Sequence, residues 1–133
     1  MSTVLFVCVH NAGRSQMAEA FFNQIAQGRA LALSAGTEPA STVNPTAVEA
    51  MGEVGIDISA KRPKALTDEM LDGADLVVTL GCGAQAVCPA AFVETEDWEL
   101  EDPEGQPLEK VREIRDEIRA RVQELACRLR GPN

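Results

Sequence analysis

Four short segments have the length and the apolar pattern of buried β-strands. The first is 3–8, which contains the uninterrupted apolar run Val4–Val7, and the second is 30–35. Segment 75–80 is apolar on both faces, which is typical of a central strand in a parallel sheet. A shorter fourth strand is predicted within 92–98.

Apolar residues three and four positions apart predict two amphipathic helices. One is expected over 14–27 and the other over 108–129, each with an apolar stripe on one face. The opposite face of the second helix alternates Glu with Arg, as expected for a helix that faces water. The stripe residues are Met17, Ala18, Phe21, Phe22 and Ile25 in the first helix, and Val111, Ile114, Ile118, Val122, Leu125 and Leu129 in the second.

Capping residues predict two further helices. Asn44 before Pro45 is a typical helix start, and this helix is expected to run to about Val54. Thr67 is expected to cap a short helix that runs through Leu71. Strands thus alternate with helices, so we predict an α/β fold: one domain over 1–133, with a parallel four-stranded sheet and helices on both faces.

The stretch between the first strand and the first helix carries the clearest chemical signal. Cys8 ends the strand, five residues follow, and Arg14 and Ser15 open the helix. A helix N-terminus and successive loop N–H groups can bind an oxyanion. Arg14 can hold two of its oxygens through its planar fork. The same positive field favours the nucleophilic thiolate of Cys8, and Ser15 can donate its hydroxyl to that thiolate.

The loop itself is suited to wrap an anion. Asn11 and Gly13 tolerate a positive φ, which a tight anion loop requires. The alternative is a strand-turn-helix in which Cys8 only packs, but the strand and helix on either side make the pattern specific. The predicted substrate-binding residues are Val9, His10, Asn11, Ala12, Gly13, Arg14 and Ser15.

Composition restricts the possible partners. The chain has 133 residues, a net charge of −9 and four cysteines. The negative charge argues against nucleic acid and anionic membranes, so an anion site must be built locally from backbone dipoles and Arg14. We see neither a membrane-spanning run nor a signal peptide, and we expect a cytoplasmic monomer. In that compartment the cysteines are reactive, metal-binding or packing residues rather than structural disulfides.

Three other residues are candidates for chemistry. Asp102, fixed by the following Pro103, is either a general acid beside the anion site or part of a solvated acidic loop. Cys82 follows the third strand, so it should lie with Cys8 at the carboxyl edge of the sheet. Cys82 and Cys88 are a redox pair, metal ligands or bystanders.

A disulfide between Cys82 and Cys88 depends on the conformation of the intervening chain. A rigid helix would separate their Cα atoms by ~9 Å along its axis, beyond the roughly 7 Å limit for a disulfide. Such a bond therefore needs a loop, and the nearby glycines favour one. We predict no metal site, because His10, the one histidine, lies in the anion loop and is expected to shape it. Cys127 is expected to be an exposed thiol without a catalytic role.

The anion loop resembles that of low-molecular-weight protein tyrosine phosphatases, and the whole chain resembles the arsenate reductases built on that fold. The resemblance implies that Asp102 is the general acid. It also implies a relay in which Cys8 forms the adduct with arsenate, Cys82 attacks Cys8, and Cys88 attacks Cys82. The matching segments are Asn11 with Arg14–Glu19, Ser34–Gly36, Asn44–Met51, Ile56–Ser59, Asp75–Leu80, Cys88-Pro89, Asp97-Trp98 and Asp102-Pro103.

The resemblance leaves the reductant open. Thioredoxin is the expected external donor, with no bound cofactor. However, Gly81-Cys82-Gly83 also resembles relatives that use a small thiol such as mycothiol, with a redoxin. Some relatives bind potassium near the loop, and Asn11, Glu19 and Ser34 match part of that site. Arg62 and Lys64 replace its other ligands, so we predict that a lysine or arginine charge takes the place of potassium.

Two other functions are considered. A low-molecular-weight tyrosine phosphatase would line its cleft with aromatic side chains, and this chain has no tyrosine, while Glu104-Gly105 follows the Asp-Pro pair. Weak phosphatase activity on small esters is still expected, because its first chemical step is shared. A non-catalytic module that binds arsenate or phosphate is the remaining alternative, and the candidate nucleophile and acid argue against it.

Overall fold

The chain folds around a four-stranded sheet. The structure, a computed structural model, describes residues 2–80 and 94–129. Each strand pairs in parallel with its neighbours, and the order across the sheet is second, first, third and fourth along the chain, so the third strand is central as predicted. The predicted α/β class is confirmed. The strands are β1 (Ser2–Cys8), β2 (Ala30–Gly36), β3 (Leu76–Leu80) and β4 (Glu94–Trp98).

The helices lie close to their predicted positions. The Asn44 side chain accepts a hydrogen bond from the backbone N–H of Thr46 at 2.9 Å, and that of Thr67 accepts one from Met70 at 3.2 Å, so both predicted caps are confirmed. The second helix ends at Gly52 and not at Val54. The helices are α1 (Arg14–Ala26), α2 (Pro45–Gly52), α3 (Asp68–Gly73) and α4 (Leu108–Leu129).

Alternate residues of β1 pack into two cores. Val4, Phe6 and Cys8 belong to the larger core, together with residues of α1, α2 and α4. Leu5 and Val7 face the smaller core with residues of α3 and β3. Because successive side chains of a strand point to opposite faces, the two cores lie on opposite faces of the sheet. Helices therefore cover both faces, as predicted. The same alternation also fixes Cys8 on the face that α1 covers.

The carboxyl ends of the strands meet at one edge. Cys8 pairs with Gly36 at the end of β1 and β2, and Leu80 pairs with Trp98 at the end of β3 and β4. The segments that follow β1, β2 and β4 therefore begin at the edge where Cys8 lies, which is where ligands bind in open α/β sheets. Across 2–80 and 94–129, no helix combines the length and the hydropathy needed to cross a bilayer.

An ion-pair cluster joins α2 to α4. Glu53, just after α2, accepts hydrogen bonds from Arg112 at 2.6 Å and from Arg115 at 3.0 Å. The hydrogen bond from Arg112 lowers the pKa of Glu53 below its usual 4.5. A lowered carboxyl pKa contributes stability above the pKa of the unfolded chain, and this contribution is lost as pH falls through the folded-state pKa.

Glu53→Gln is therefore expected to lower the free energy of unfolding modestly at pH 7. The difference from the parent should shrink as the solution is acidified below about pH 4.5, because the parent carboxylate becomes protonated. Urea unfolding of both chains from pH 7 to pH 4 measures this. Glu117→Gln, which removes a single pair with Arg121 within α4, is the matched control. A difference in the free energy of unfolding that increases as the pH is lowered would contradict the prediction.

Candidate active site

The loop between β1 and α1 surrounds the Cys8 sulfur. Cys8 is the last residue of β1 and is 2% exposed. The backbone N–H of Asn11 donates a hydrogen bond to Sγ at 3.2 Å, which aims one loop dipole at the sulfur. Among the described residues, no side chain caps the N-terminus of α1. Its first backbone N–H groups thus remain available to an anion at this point.

A buried hydrogen-bond chain orients the Ser15 hydroxyl toward Cys8. The Asn11 carboxamide oxygen accepts from the backbone N–H of Lys64 at 2.8 Å, which fixes the orientation of the amide. Its Nδ2 then donates to Ser15 Oγ at 2.7 Å, and Oγ lies 2.9 Å from Cys8 Sγ. A thiolate carries no proton, so when Cys8 is ionised the Ser15 hydroxyl is the donor of this hydrogen bond. The expected donation from Ser15 to Cys8 fits this geometry.

Arg14 is held as a rigid cation at the start of α1. It is 5% exposed, and its Nη1 donates to the Leu100 carbonyl oxygen at 3.2 Å. Its Nη2 lies 3.7 Å from Oδ2 of Asp102. The segment between β4 and α4 therefore fixes the guanidinium. Leu100 gave no signal in the sequence, because its contribution is a backbone carbonyl.

Asp102 lies at the mouth of the same cavity and is half-exposed. Its Oδ1 accepts from the backbone N–H of Glu104 at 3.0 Å, so the turn around Pro103 holds the carboxylate in place. The structure thus brings Cys8, Arg14 and Asp102 together around a cavity of about 270 Å³. Asp102 is half-exposed, so its role as the general acid stays a prediction.

Two glycines are required for close approach. A Cβ on Gly13 would lie 2.8 Å from Pro103 Cγ, and one on Gly36 would lie 2.7 Å from the Val9 carbonyl oxygen. Asn11 has the expected positive φ, 51°. The expectation of a left-handed conformation is wrong for Gly13, whose φ is −142°. Gly13 is needed because Pro103 packs against it.

His10 lies at the mouth of the cavity beside two carboxylates. Its Nε2 is 3.6 Å from Glu104 Oε2, and one ligand atom each of His10, Asp102 and Glu104 lie within 4.8 Å of one another. Both carboxylates are exposed, and exposed acidic groups commonly gather without an ion. The expectation that the protein holds no metal stays a prediction.

The remaining cysteines are Cys82, Cys88 and Cys127. Cys82 and Cys88 lie outside the described residues, so their predicted proximity to Cys8 stays untested. Cys127 is a free, exposed thiol on α4, as expected. Val9 and Ala12 lie in the anion loop, as their sequence positions require, and Ala12 lines the cavity.

A buried carboxylate beneath the loop was matched in the sequence only through the resemblance. Glu19 of α1 is 5% exposed and accepts from Ser34 Oγ at 2.6 Å. Lys61 Nζ lies 2.5 Å from its Oε2, and Lys64 Nζ lies 3.7 Å from its Oε1. The lysine charges beside Glu19 thus come from Lys64 and, more closely, from Lys61, which the sequence did not single out. Arg62 contributes its backbone carbonyl to Gln16, and the absence of potassium stays a prediction.

A profile described as low molecular weight phosphotyrosine protein phosphatase matches residues 3–132. The chain belongs to the low molecular weight phosphotyrosine protein phosphatase family. Within this family it groups with the arsenate reductases. A relative from Synechocystis, named glutaredoxin arsenate reductase, is 41% identical over 97% of this chain and 99% of its own.

Two solved arsenate reductases agree with that grouping. An arsenate reductase in its phosphate-binding state superposes with a TM-score of 0.88 at 40% identity, covering 96% of this chain and 98% of that one. A thioredoxin-dependent arsenate reductase from Corynebacterium glutamicum gives 0.83 at 40% identity, covering all of this chain and 64% of that one. The predicted fold and enzyme class are confirmed.

Proposed function

We propose that this enzyme reduces arsenate to arsenite through a covalent adduct on Cys8. The observation that carries the proposal is the buried Cys8 thiol, which lies 2.9 Å from the Ser15 hydroxyl in a cavity lined by Arg14 and Asp102. Arsenate is a tetrahedral oxyanion. Its oxygens would bind the Arg14 fork and the backbone N–H groups of the loop and of α1. The proposed substrate-binding residues are therefore 9–15.

The first step is an attack on arsenic. The Cys8 thiolate forms the S–As bond while one As–O bond breaks, and Asp102 protonates the departing oxygen so that it leaves as water. Ser15 stabilises the thiolate before the attack, and Arg14 stabilises the charge on the remaining oxygens. Arsenic is still As(V) at the end of this step, so two electrons are still required.

The second step supplies those electrons from thiols. The Cys82 thiolate attacks the Cys8 sulfur, the electrons of the S–As bond stay on arsenic, and arsenite leaves as a Cys8–Cys82 disulfide forms. Cys88 then attacks Cys82, which frees Cys8 and leaves a Cys82–Cys88 disulfide for thioredoxin to reduce. The support is the resemblance of the chain and the thioredoxin-dependent relative; both cysteines lie outside the described residues. The enzyme would act as a cytoplasmic monomer in arsenic detoxification.

A small thiol with a redoxin is the alternative donor. It would attack the Cys8 adduct directly, so that only Cys8 would be essential. The name of the Synechocystis relative, glutaredoxin arsenate reductase, favours keeping this alternative. Hydrolysis of small phosphate esters is a second activity that the shared first step supports, and the family match favours it.

Turnover with defined reductants tests the relay. Purified enzyme receives arsenate with thioredoxin and its reductase, or with a small thiol and its redoxin, while NADPH consumption is followed. We expect turnover with thioredoxin that Cys82→Ser or Cys88→Ser reduces to background. Cys127→Ser, which removes the exposed thiol of α4, is the matched control and should retain full activity. Turnover only with the small thiol, unaffected by Cys88→Ser, would contradict the relay.

A further inference from the structure

A second groove lies beside the cavity that contains Cys8. It has a volume of about 560 Å³, and Thr42 and Pro45 line both this groove and the Cys8 cavity. Small-molecule sites commonly have volumes of roughly 300–1,000 Å³. A molecule bound in the groove would therefore extend to the cavity in which the arsenate adduct is proposed to form. The proposed mechanism assigns no role to this groove.

One wall of the groove is hydrogen-bonded to the anion loop. The segment 41–43 forms this wall, and the residues on either side of it bond to loop carbonyls. The backbone N–H of Ala40 donates to the His10 carbonyl at 2.9 Å. The backbone N–H of Asn44 donates to the Ala12 carbonyl at 2.8 Å. Backbone hydrogen bonds thus fix the position of the groove relative to the anion loop.

The segment 59–62 also lines the groove and carries two cations. Lys61 pairs with the buried carboxylate of Glu19, so its charge is already compensated. Arg62 is exposed, and within 2–80 and 94–129 its guanidinium makes no hydrogen bond or ion pair. None of the described residues that line the groove is acidic. In a chain of net charge −9, this groove is therefore a local site for an anionic group.

The rest of the lining is apolar or carries hydroxyl groups. Val43 is buried, and Pro45 and Val48 add apolar surface. Hydroxyl groups both donate and accept hydrogen bonds, so they can bind the amide groups of a ligand. The hydroxyl-bearing residues of the lining are Ser41, Thr42 and Ser59. Such a lining suits a small molecule that combines methylene segments and amide groups with a carboxylate.

The adjoining cavity indicates what that molecule does. The adduct on Cys8 still needs two electrons, and thiols supply electrons to sulfur-bound arsenic by thiol–disulfide chemistry. A thiol seated in the groove would have its reactive end at the cavity and its carboxylate near Arg62. A guanidinium without another partner can bind a carboxylate through two parallel hydrogen bonds.

We propose that this groove binds a small thiol that carries carboxylates, with Arg62 paired to one of them. It rests on the proposed function, because it takes the Cys8 adduct as the target, and it gives the alternative donor a binding site. The bound thiolate attacks the Cys8 sulfur, and the S–As bond breaks with its electrons left on arsenic. Arsenite leaves, a mixed disulfide forms, and the redoxin thiols reduce that disulfide.

S-methylglutathione tests the site without reacting with Cys8, because its methylated sulfur cannot form a disulfide. It is titrated into isotope-labelled enzyme, with inorganic phosphate present to occupy the anion loop, and the backbone amide shifts are followed by NMR. We expect shifts at 41–48 and 59–62. Arg62→Met should weaken the binding by about fourfold. Arg62→Lys keeps the charge and should stay within about twofold of the parent.

Two controls isolate the charge. Arg29→Met removes another exposed arginine, which precedes β2 at the opposite edge of the sheet, and should leave the affinity unchanged. The diethyl ester of S-methylglutathione lacks both carboxylate charges, so it should bind the parent less tightly, and its affinity should not fall in Arg62→Met. If Arg62→Met does not fold, the parent decides: tighter binding of the free acid supports the proposal, and equal binding overturns it.

The rate of disulfide exchange tests whether the bound molecule reaches Cys8. In a background carrying Cys82→Ser, Cys88→Ser and Cys127→Ser, oxidised glutathione forms a mixed disulfide with Cys8, and mass spectrometry follows the rate. Arg62→Met should slow this reaction by about fourfold. The reaction with hydroxyethyl disulfide, which is neutral, should stay within about twofold of the parent.

Unchanged affinity for S-methylglutathione in a folded Arg62→Met would overturn the proposal, as would shifts confined to the anion loop. Shifts at the groove with an acidic peptide but none with S-methylglutathione would also overturn it, in favour of a peptide site. None of these readouts uses arsenate. Arg62-dependent binding in a chain that does not reduce arsenate would refute the proposed function alone, and arsenate reduction without this binding would refute the groove proposal alone.

Discussion

Cys8→Ser is expected to abolish arsenate turnover, with a loss of more than about 10⁴-fold. The serine hydroxyl ionises far less readily than a thiol and cannot form the disulfide that the relay requires. The protein should remain folded, because Cys8 is packed in the larger core and serine is slightly smaller. Phosphate should still bind, since Arg14 and the backbone N–H groups of the loop are unchanged. Turnover and phosphate calorimetry on the same preparation measure both results.

The matched control for this change is Cys127→Ser. It makes the same substitution at the exposed thiol of α4 and should retain turnover within about twofold. Comparable turnover in Cys8→Ser and the parent would contradict the account. If the parent protein binds phosphate as well as Cys8→Ser does but shows no arsenate turnover, the protein would instead be a non-catalytic anion-binding module.

Arg14→Lys is expected to lower kcat/KM for arsenate by about 100-fold. Lysine keeps the positive charge but loses the planar fork. The three N–H groups of an ammonium diverge tetrahedrally, so they cannot present two parallel donors to the substrate while one bonds the Leu100 carbonyl, as the guanidinium can. The loss should appear in steady-state kinetics and as weaker phosphate binding.

Arg121→Lys is the control for this second prediction. It makes the same exchange at an exposed arginine whose partner, Glu117, lies one turn away on α4. Its kinetics should match the parent. If Arg14→Lys retained kcat/KM within about threefold, the substrate would not depend on the guanidinium fork, and the proposed binding mode would be wrong.

The fold was predictable because its signals are local in the sequence. The uninterrupted apolar run Val4–Val7 indicates a buried strand by its short length. The apolar stripe of α4 indicates a helix through its period of 3.6 residues, and α4 has its predicted bounds. Asn44 and Thr67 each mark a helix start through a single side-chain hydrogen bond. The end of α2 was less predictable, since Glu53 and Val54 continue the pattern for two residues although the helix has ended.

The contacts of the candidate site are likewise of two kinds, those between neighbours in the sequence and those between distant residues. Cys8 and Ser15 belong to one short stretch, so their hydrogen bond could be anticipated from their spacing, whereas for Asn11 only the positive φ was predicted. The partners that fix them lie far along the chain: the Leu100 carbonyl on Arg14, and the backbone N–H of Lys64 on Asn11. Any residue can supply a backbone N–H or carbonyl, so such partners cannot be recognised from residue type. No local pattern indicates which lysine pairs with Glu19.

The most direct test of the central claim is a single turnover without an external reductant. Fully reduced enzyme is mixed with excess arsenate, and arsenite and free thiols are counted. The account predicts one arsenite per chain and the loss of two of the four thiols, because two electrons reduce As(V) and one disulfide remains. Mass spectrometry should place that disulfide between Cys82 and Cys88. Recovery of unchanged arsenate with all four thiols free, from enzyme that hydrolyses a phosphate ester, would contradict it.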